Sequence, residues 1–126
     1  MNFDSIDYLK HGSQKQLKAF QVLSEHNIMT KLSLFDPLLV GTLPINIDID
    51  SSDLDIICCY SDQKQFSEIV KDSFQKMESF KFWQYHKTNT AAMVANFRVE
   101  EFAIEIFGQG IPSRQQIAYQ HMIIEY

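Results

Sequence analysis

Apolar and polar positions change period several times along the chain, and each change marks an element. Between Ser13 and Asn27 the apolar residues Leu17, Phe20, Val22 and Leu23 recur at helical spacing; this predicts a helix that Ser13 caps and Asn27 ends. Residues 3 to 10 read as a short lead-in, broken at Gly12. Ile28, Leu32 and Phe35 share one face of a second short helix, which Pro37 closes. Both helices are expected to cover a sheet. After Pro37 the pattern becomes one of unbroken apolar runs. Leu38-Leu39-Val40 predicts a first strand ending at Gly41, and Ile56 to Tyr60, uncharged and rich in β-formers, predicts a central, buried strand.

Ser61 and Asp62 can cap the next helix, with Phe66, Ile69, Val70, Phe74 and Met77 on one stripe and Lys64, Glu68, Lys71 and Lys76 outward. It reads as the crossover helix of a βαβ-like unit. Residues 80 to 107 predict three strands: the aromatic Phe80-Phe82-Trp83-Tyr85 segment, then Ala92 to Val99 after a turn at Thr88-Asn89, then Phe102 to Phe107 after a tight turn at Glu100-Glu101. Gly108 to Pro112 end the last strand. Ser113 is expected to cap a final helix carrying Ile117, Tyr119, His121, Met122 and Ile123.

At 126 residues, 45% hydrophobic and 21% charged, the chain is expected to form one domain with a real core, and disorder is excluded. No run approaches a membrane span and the N-terminus has no cleavable apolar segment, so a cytoplasmic location is expected. A net charge of −5 argues against bulk nucleic acid, which needs clustered Lys and Arg, but leaves room for a small phosphorylated ligand held through metal. Cys58 and Cys59 are adjacent on a strand, point to opposite faces and read as small buried hydrophobes. The histidines at 11, 26, 86 and 121 have no ligand spacing, which argues against a histidine-based zinc site; His121 reads as a packed residue, with a catalytic role as the alternative.

The concentrated chemistry lies at Ser52-Asp53-Leu54-Asp55. Asp53 and Asp55, two residues apart at a strand start, point to the same side of the sheet and can share a metal. Beside a buried strand, two like charges are costly unless a cation or several donors compensate. Asp48-Ile49-Asp50 is a second Asp-x-Asp; with a turn after it and no long apolar run, it reads as solvated loop carboxylates, with a role behind the site or facing the substrate as the alternative. Glu105 is a lone carboxylate in an apolar strand, sharing a face with Ala103 and Phe107. Its partner is either a basic side chain or the same metal. Gly41-Thr42 after a strand reads by itself as a common turn, and its value comes from its distance to Asp53.

An apolar strand ending in Gly41-Thr42, about ten residues, Asp53-x-Asp55 in an apolar strand, and a third carboxylate on a later strand together resemble the nucleotidyltransferase superfamily of polymerase-β-like enzymes. The wording around Val40 to Cys58 and Phe102 to Gln109 resembles a small bacterial family of unknown function inside it, and the resemblance covers nearly the whole chain. It implies an α/β (α+β) fold, a nucleotidyltransferase-like mixed β-sheet flanked by α-helices. Relatives of this kind run on through further helical sequence, so residues 1–126 are expected to be a single such domain lacking C-terminal helices, as a short form or a fragment. The implied activity is transfer of a nucleoside monophosphate from an NTP donor to a hydroxyl acceptor that the sequence does not identify, whether small molecule or protein. Asp53, Asp55 and Glu105 would hold Mg²⁺ or Mn²⁺ and act in catalysis, and Gly41 and Thr42 would steady the donor's phosphates. Thr42 stands where Ser is commoner, Glu105 where many relatives have Asp, and no basic residue adjoins the motif, Lys31 and Lys64 being nearest in sequence. The alternative is a non-catalytic module of the same fold that binds a nucleotide, a protein partner or a second copy of itself, with residues 80 to 85 as a docking surface. A structural protein with a chance Asp-x-Asp is the third reading and the weakest.

Overall fold

The two unbroken apolar runs lie side by side: β1 (Leu38–Val40) pairs antiparallel with β2 (Asp53–Cys59). The computed structural model describes residues 2–41, 43–45, 53–86 and 90–125. Three further strands, β3 (Glu78–Tyr85), β4 (Ala92–Val99) and β5 (Phe102–Gln109), complete a five-stranded sheet in the order β1-β2-β5-β4-β3. β5 inserts parallel to β2, while β4 is antiparallel to β5 and β3 to β4. The sheet is therefore mixed, and β3 runs parallel to β2 at the far edge. The crossover predicted from the apolar stripe is present, although the strands it joins are separated by β5 and β4.

Helix α3 (Gln63–Phe74) makes that crossover. The Asp62 side chain accepts hydrogen bonds from the Lys64 and Gln65 amides at 2.9 and 3.4 Å, satisfying two of the free donors of the first turn. Phe66, Val70 and Phe74 are fully buried, and Phe74 stacks on Phe97 of β4 at 4.8 Å. Each such side chain contributes roughly 2–3 kcal/mol relative to exposure. Helix α1 (Gln14–Glu25) covers the same face together with the single turn α2 (Ile28–Lys31) and the 3-10 turn Ser33–Phe35. Ile28, Leu32 and Phe35 all enter this core, as their spacing predicts.

Two details of the helices differ from the sequence reading. Leu17 is on the outside of α1, and the buried stripe is Gln16, Ala19, Val22 and Leu23. Gln16 is buried because it closes a reciprocal cap with Ser13 and also donates from Nε2 to the Leu43 carbonyl at 2.8 Å, tying the start of α1 to the segment after β1. Ser113 does not cap the last helix. Its hydroxyl donates to the Asp36 carbonyl at 2.8 Å from within a 3-10 turn, Ser113–Gln115, and α4 (Ile117–Glu125) begins after it.

The opposite face of the sheet is only half covered. Phe3 and Met122 of α4 pack over Leu38, Val40 and Ile57, with Phe107 and Tyr119 at the margin. Gln116 fixes the start of α4, donating to the Cys58 and Ile111 carbonyls at 2.8 and 3.0 Å. Cys58 faces the helical core and is buried, Cys59 points the other way and is half-buried, and both thiols are free. No helix among the described residues is long and apolar enough to cross a membrane.

Helix α3 comes close to the sheet at Gly108, where a Cβ would stand 2.5 Å from the Phe66 ring. Gly108→Ala is expected to cost about 1–3 kcal/mol in urea unfolding. Gly110→Ala, whose Cβ would have its nearest neighbour at 3.7 Å, should stay within about 0.5 kcal/mol of wild type.

Candidate functional site

Alternation along the strands puts Leu54, Ile56 and Cys58 of β2 and Phe102, Ile104 and Ile106 of β5 into the helical core. Their neighbours Asp53, Asp55, Ala103 and Glu105 therefore look out from the other face, at the end that α4 leaves open. The parallel register sets Asp55 directly beside Glu105 and Asp53 beside Ala103. The three carboxylates predicted from the sequence thus come together, and they line one cleft of about 380 Å³. The same cleft is bounded by Ser79, Lys81, Asn96 and Arg98.

Gly41 adjoins the group from the β1 side. Its φ is +92°, a conformation natural to glycine, and a Cβ there would stand 3.0 Å from the Asp55 carboxylate. Thr42, Asp48 and Asp50 lie outside the described residues. His121 is exposed on α4 rather than packed. Trp83 and Tyr85, from the aromatic segment, emerge on the open face, Tyr85 meeting Phe107 edge-on at 6.0 Å.

Charge in the cleft is poorly compensated. Burial, then Glu105, then Asp53 raise the Asp55 pKa from its ordinary 3.8 to about 6. Burial and then Asp53 raise that of Glu105 as well. Neither Asp55 nor Glu105 takes part in an ion pair among the described residues. Among the described residues Glu105 thus has no basic side chain as a structural partner. An all-oxygen donor set on neighbouring strands, with excess negative charge, suits a hard divalent cation. The cleft oxygens do not converge as tightly as those of a surface group, Glu25, His26 and Glu100, whose ligand atoms lie within 4.8 Å of one another. In that group His26 Nε2 is 3.4 Å from Glu100, and the exposed cluster binds α1 to the β4–β5 turn.

Lys81 and Arg98 were missed in the sequence, where Lys31 and Lys64 are the nearest cations. Lys31 instead lies over the Phe74 ring on the helical side, 5.6 Å from its centroid. A signal for Arg98 did exist. A two-residue turn at Glu100-Glu101 pairs Val99 with Phe102, hence Arg98 with Ala103 and Asn96 with Glu105. Lys81 follows in the same way, since the β3–β4 register runs unbroken from Tyr85–Ala92 to Lys81–Asn96 and the bulge lies beyond it, between Glu78 and Lys81.

The sheet order and its flanking helices define a nucleotidyltransferase-like fold. The structure is similar to one described as "Structural Basis for the Activity of a Cytoplasmic RNA Terminal U-transferase", with a TM-score of 0.52 and 14% identity over 89% of this chain. The chain spans about a third of that structure, 33%. By sequence, residues 21–126 match the family described as "Domain of unknown function (DUF4269)", and the chain belongs to that family. No curated protein matches it.

The raised pKa of Asp55 has a consequence for stability. The folded state favours the neutral acid, so ionisation penalises folding. The penalty is absent below about pH 3.8, grows as pH rises and is complete above about pH 6. Two pKa units correspond to about 2.7 kcal/mol at most, and partial exposure reduces this to about 1–2 kcal/mol. In chelator, Asp55→Asn should therefore raise the unfolding free energy by about that amount at pH 8 and leave it nearly unchanged at pH 4. Urea titrations at the two pH values check it; an equal effect at both would show that the carboxylate is not strained by its neighbours.

Proposed function

We propose that this protein is a metal-dependent nucleotidyltransferase, moving a nucleoside monophosphate from an NTP to a hydroxyl acceptor, with residues 1–126 acting as one domain. The observation that carries the reading is the β2–β5 register, which gathers Asp53, Asp55 and Glu105 on the open face of a nucleotidyltransferase-like sheet. These three would hold Mg²⁺ or Mn²⁺, which when bound supplies positive charge against the triphosphate and the developing transition state. Gly41, lacking a side chain and next to Asp55, leaves room for the donor's β- and γ-phosphates to approach the backbone; the Thr42 hydroxyl is proposed to assist. Glu105, with its pKa raised toward neutrality, is suited to accept the proton that the acceptor hydroxyl loses. The RNA acceptor of the terminal U-transferase is not carried over, since a net charge of −5 disfavours a polyanion.

A second reading, a partner-binding module without catalysis, is favoured by one observation. Ile117 and Ile124 of α4 are 74% and 81% exposed, more apolar surface than a helix normally shows to water. The two readings separate by calorimetry with Mg²⁺ or Mn²⁺ and ATP or GTP, wild type against Asp53→Asn with Asp55→Asn. Metal-dependent nucleotide binding in the wild type and its loss, by at least a hundredfold, in the double variant is expected. Absence of binding in a folded wild type would sink the enzymatic reading and move the weight to the exposed α4 surface.

A further inference from the structure

Opposite the carboxylates, the cleft has a wall of different chemistry. Lys81 of β3 and Arg98 of β4 both line it, with Ser79 beside them. Ser79, with φ +60°, lies in the β3 bulge two residues from Lys81 and lines the same wall of the cleft. An ammonium, a guanidinium and a hydroxyl around one opening form a donor set for an oxyanion. Neither Lys81 nor Arg98 takes part in an ion pair among the described residues, and both are exposed.

Their position relative to the carboxylates gives the wall its role. One row across the sheet reads Val40, Asp55, Glu105, Asn96, Lys81, and the adjacent row reads Asp53, Ala103, Arg98, Glu78, of which Glu78 does not line the cleft. Gly41 lies beyond the β1 end of the first row and the cationic wall beyond the β4 and β3 ends. In nucleotidyl transfer the acceptor oxygen forms a bond to the α-phosphorus as the bond from that phosphorus to the pyrophosphate oxygen breaks, in line and on the opposite side. The electron pair leaves with pyrophosphate, and the acceptor's proton goes to Glu105. With the triphosphate tail on the Gly41 side, the acceptor enters from the Glu105 side. We infer that Ser79, Lys81 and Arg98 bind an anionic group on the acceptor, a phosphate or a carboxylate, and so select a negatively charged hydroxyl compound as the substrate.

This inference rests on the nucleotidyl-transfer reading above, and the test separates the two. Wild type, Lys81→Gln, Arg98→Gln and the surface control Lys76→Gln are titrated by calorimetry with inorganic phosphate and, separately, with MgATP. The expected result is phosphate binding weakened at least tenfold by Lys81→Gln and by Arg98→Gln, unchanged in Lys76→Gln, with MgATP affinity within twofold of wild type in all three. Wild type that binds MgATP but not phosphate, or phosphate binding indifferent to both cleft variants, overturns the inference and leaves nucleotidyl transfer standing. MgATP and phosphate weakened together overturn it too, since the wall then holds the donor's own phosphates. Phosphate bound through Lys81 and Arg98 without any MgATP binding removes the transfer reading and the acceptor assignment with it.

Discussion

Everything at the candidate site depends on the parallel pairing of β2 with β5 in the register that sets Asp55 beside Glu105. On the open face the pairing sets Ile57 beside Phe107 under α4, but at the site it brings like charges together. The register is fixed from the other face, where Leu54, Ile56 and Cys58 meet Phe102, Ile104 and Ile106 in the helical core. A slip of one residue would turn these six toward water and the carboxylates into the core. Six buried side chains at roughly 2 kcal/mol each outweigh the 1–2 kcal/mol by which the Asp55 charge opposes folding. The core thus holds in place an arrangement that the site alone would disperse.

Parallel neighbours cannot be joined by a tight turn. The connection from β2 to β5 runs through α3, β3 and β4, and this detour builds the opposite wall of the cleft. α3 carries the chain across the helical face to the far edge, and β3 and β4 then return toward β5. The carboxylates and the cations consequently come from one topological unit, residues 53 to 109. α4, pinned by Gln116 and by the Arg114 contacts to Asp4 and Asp36 at 2.6 and 3.2 Å, covers the end of that face nearest Ile57. The end nearest Asp53 stays open.

Period-two alternation made part of this legible. Asp53 and Asp55 had to share a face, Glu105 had to oppose Ile104 and Ile106, and the stripe of α3 had to be core. Strand order was not legible from residues alone, because β5 inserts between β2 and β4 through long-range pairing that leaves no local mark; only the family resemblance suggested that the carboxylates meet. Gln16 was missed because a polar residue on a helical stripe reads as solvent-facing, whereas here its amide is consumed by the cap and by Leu43. Ser113 was misassigned for the converse reason. A serine before an apolar run looks like a cap, yet its hydroxyl serves a carbonyl 77 residues away. The register of β3 against β4 runs unbroken from Tyr85–Ala92 to Lys81–Asn96, so Lys81 follows by counting back from Tyr85; the bulge beyond it displaces only Glu78, which falls opposite Arg98.

The spacing between the two charged walls explains how a cleft can keep both. Arg98 is separated from Asp53 by Ala103, and Lys81 from Glu105 by Asn96, so each cation is two strands from a carboxylate. At about 4.8 Å per strand this is about 10 Å between backbones, close to the Debye length at physiological salt. Had Ala103 or Asn96 been the basic residue, it would have closed a salt bridge with the carboxylates and compensated the charge that draws a divalent ion. Had the cations stood another strand away, they would have been surface charges of no consequence to the cleft. One neutral residue between the poles leaves the carboxylates electron-rich and the cations available. An acidic protein can in this way offer a local positive surface to an anion while its net charge turns polyanions away.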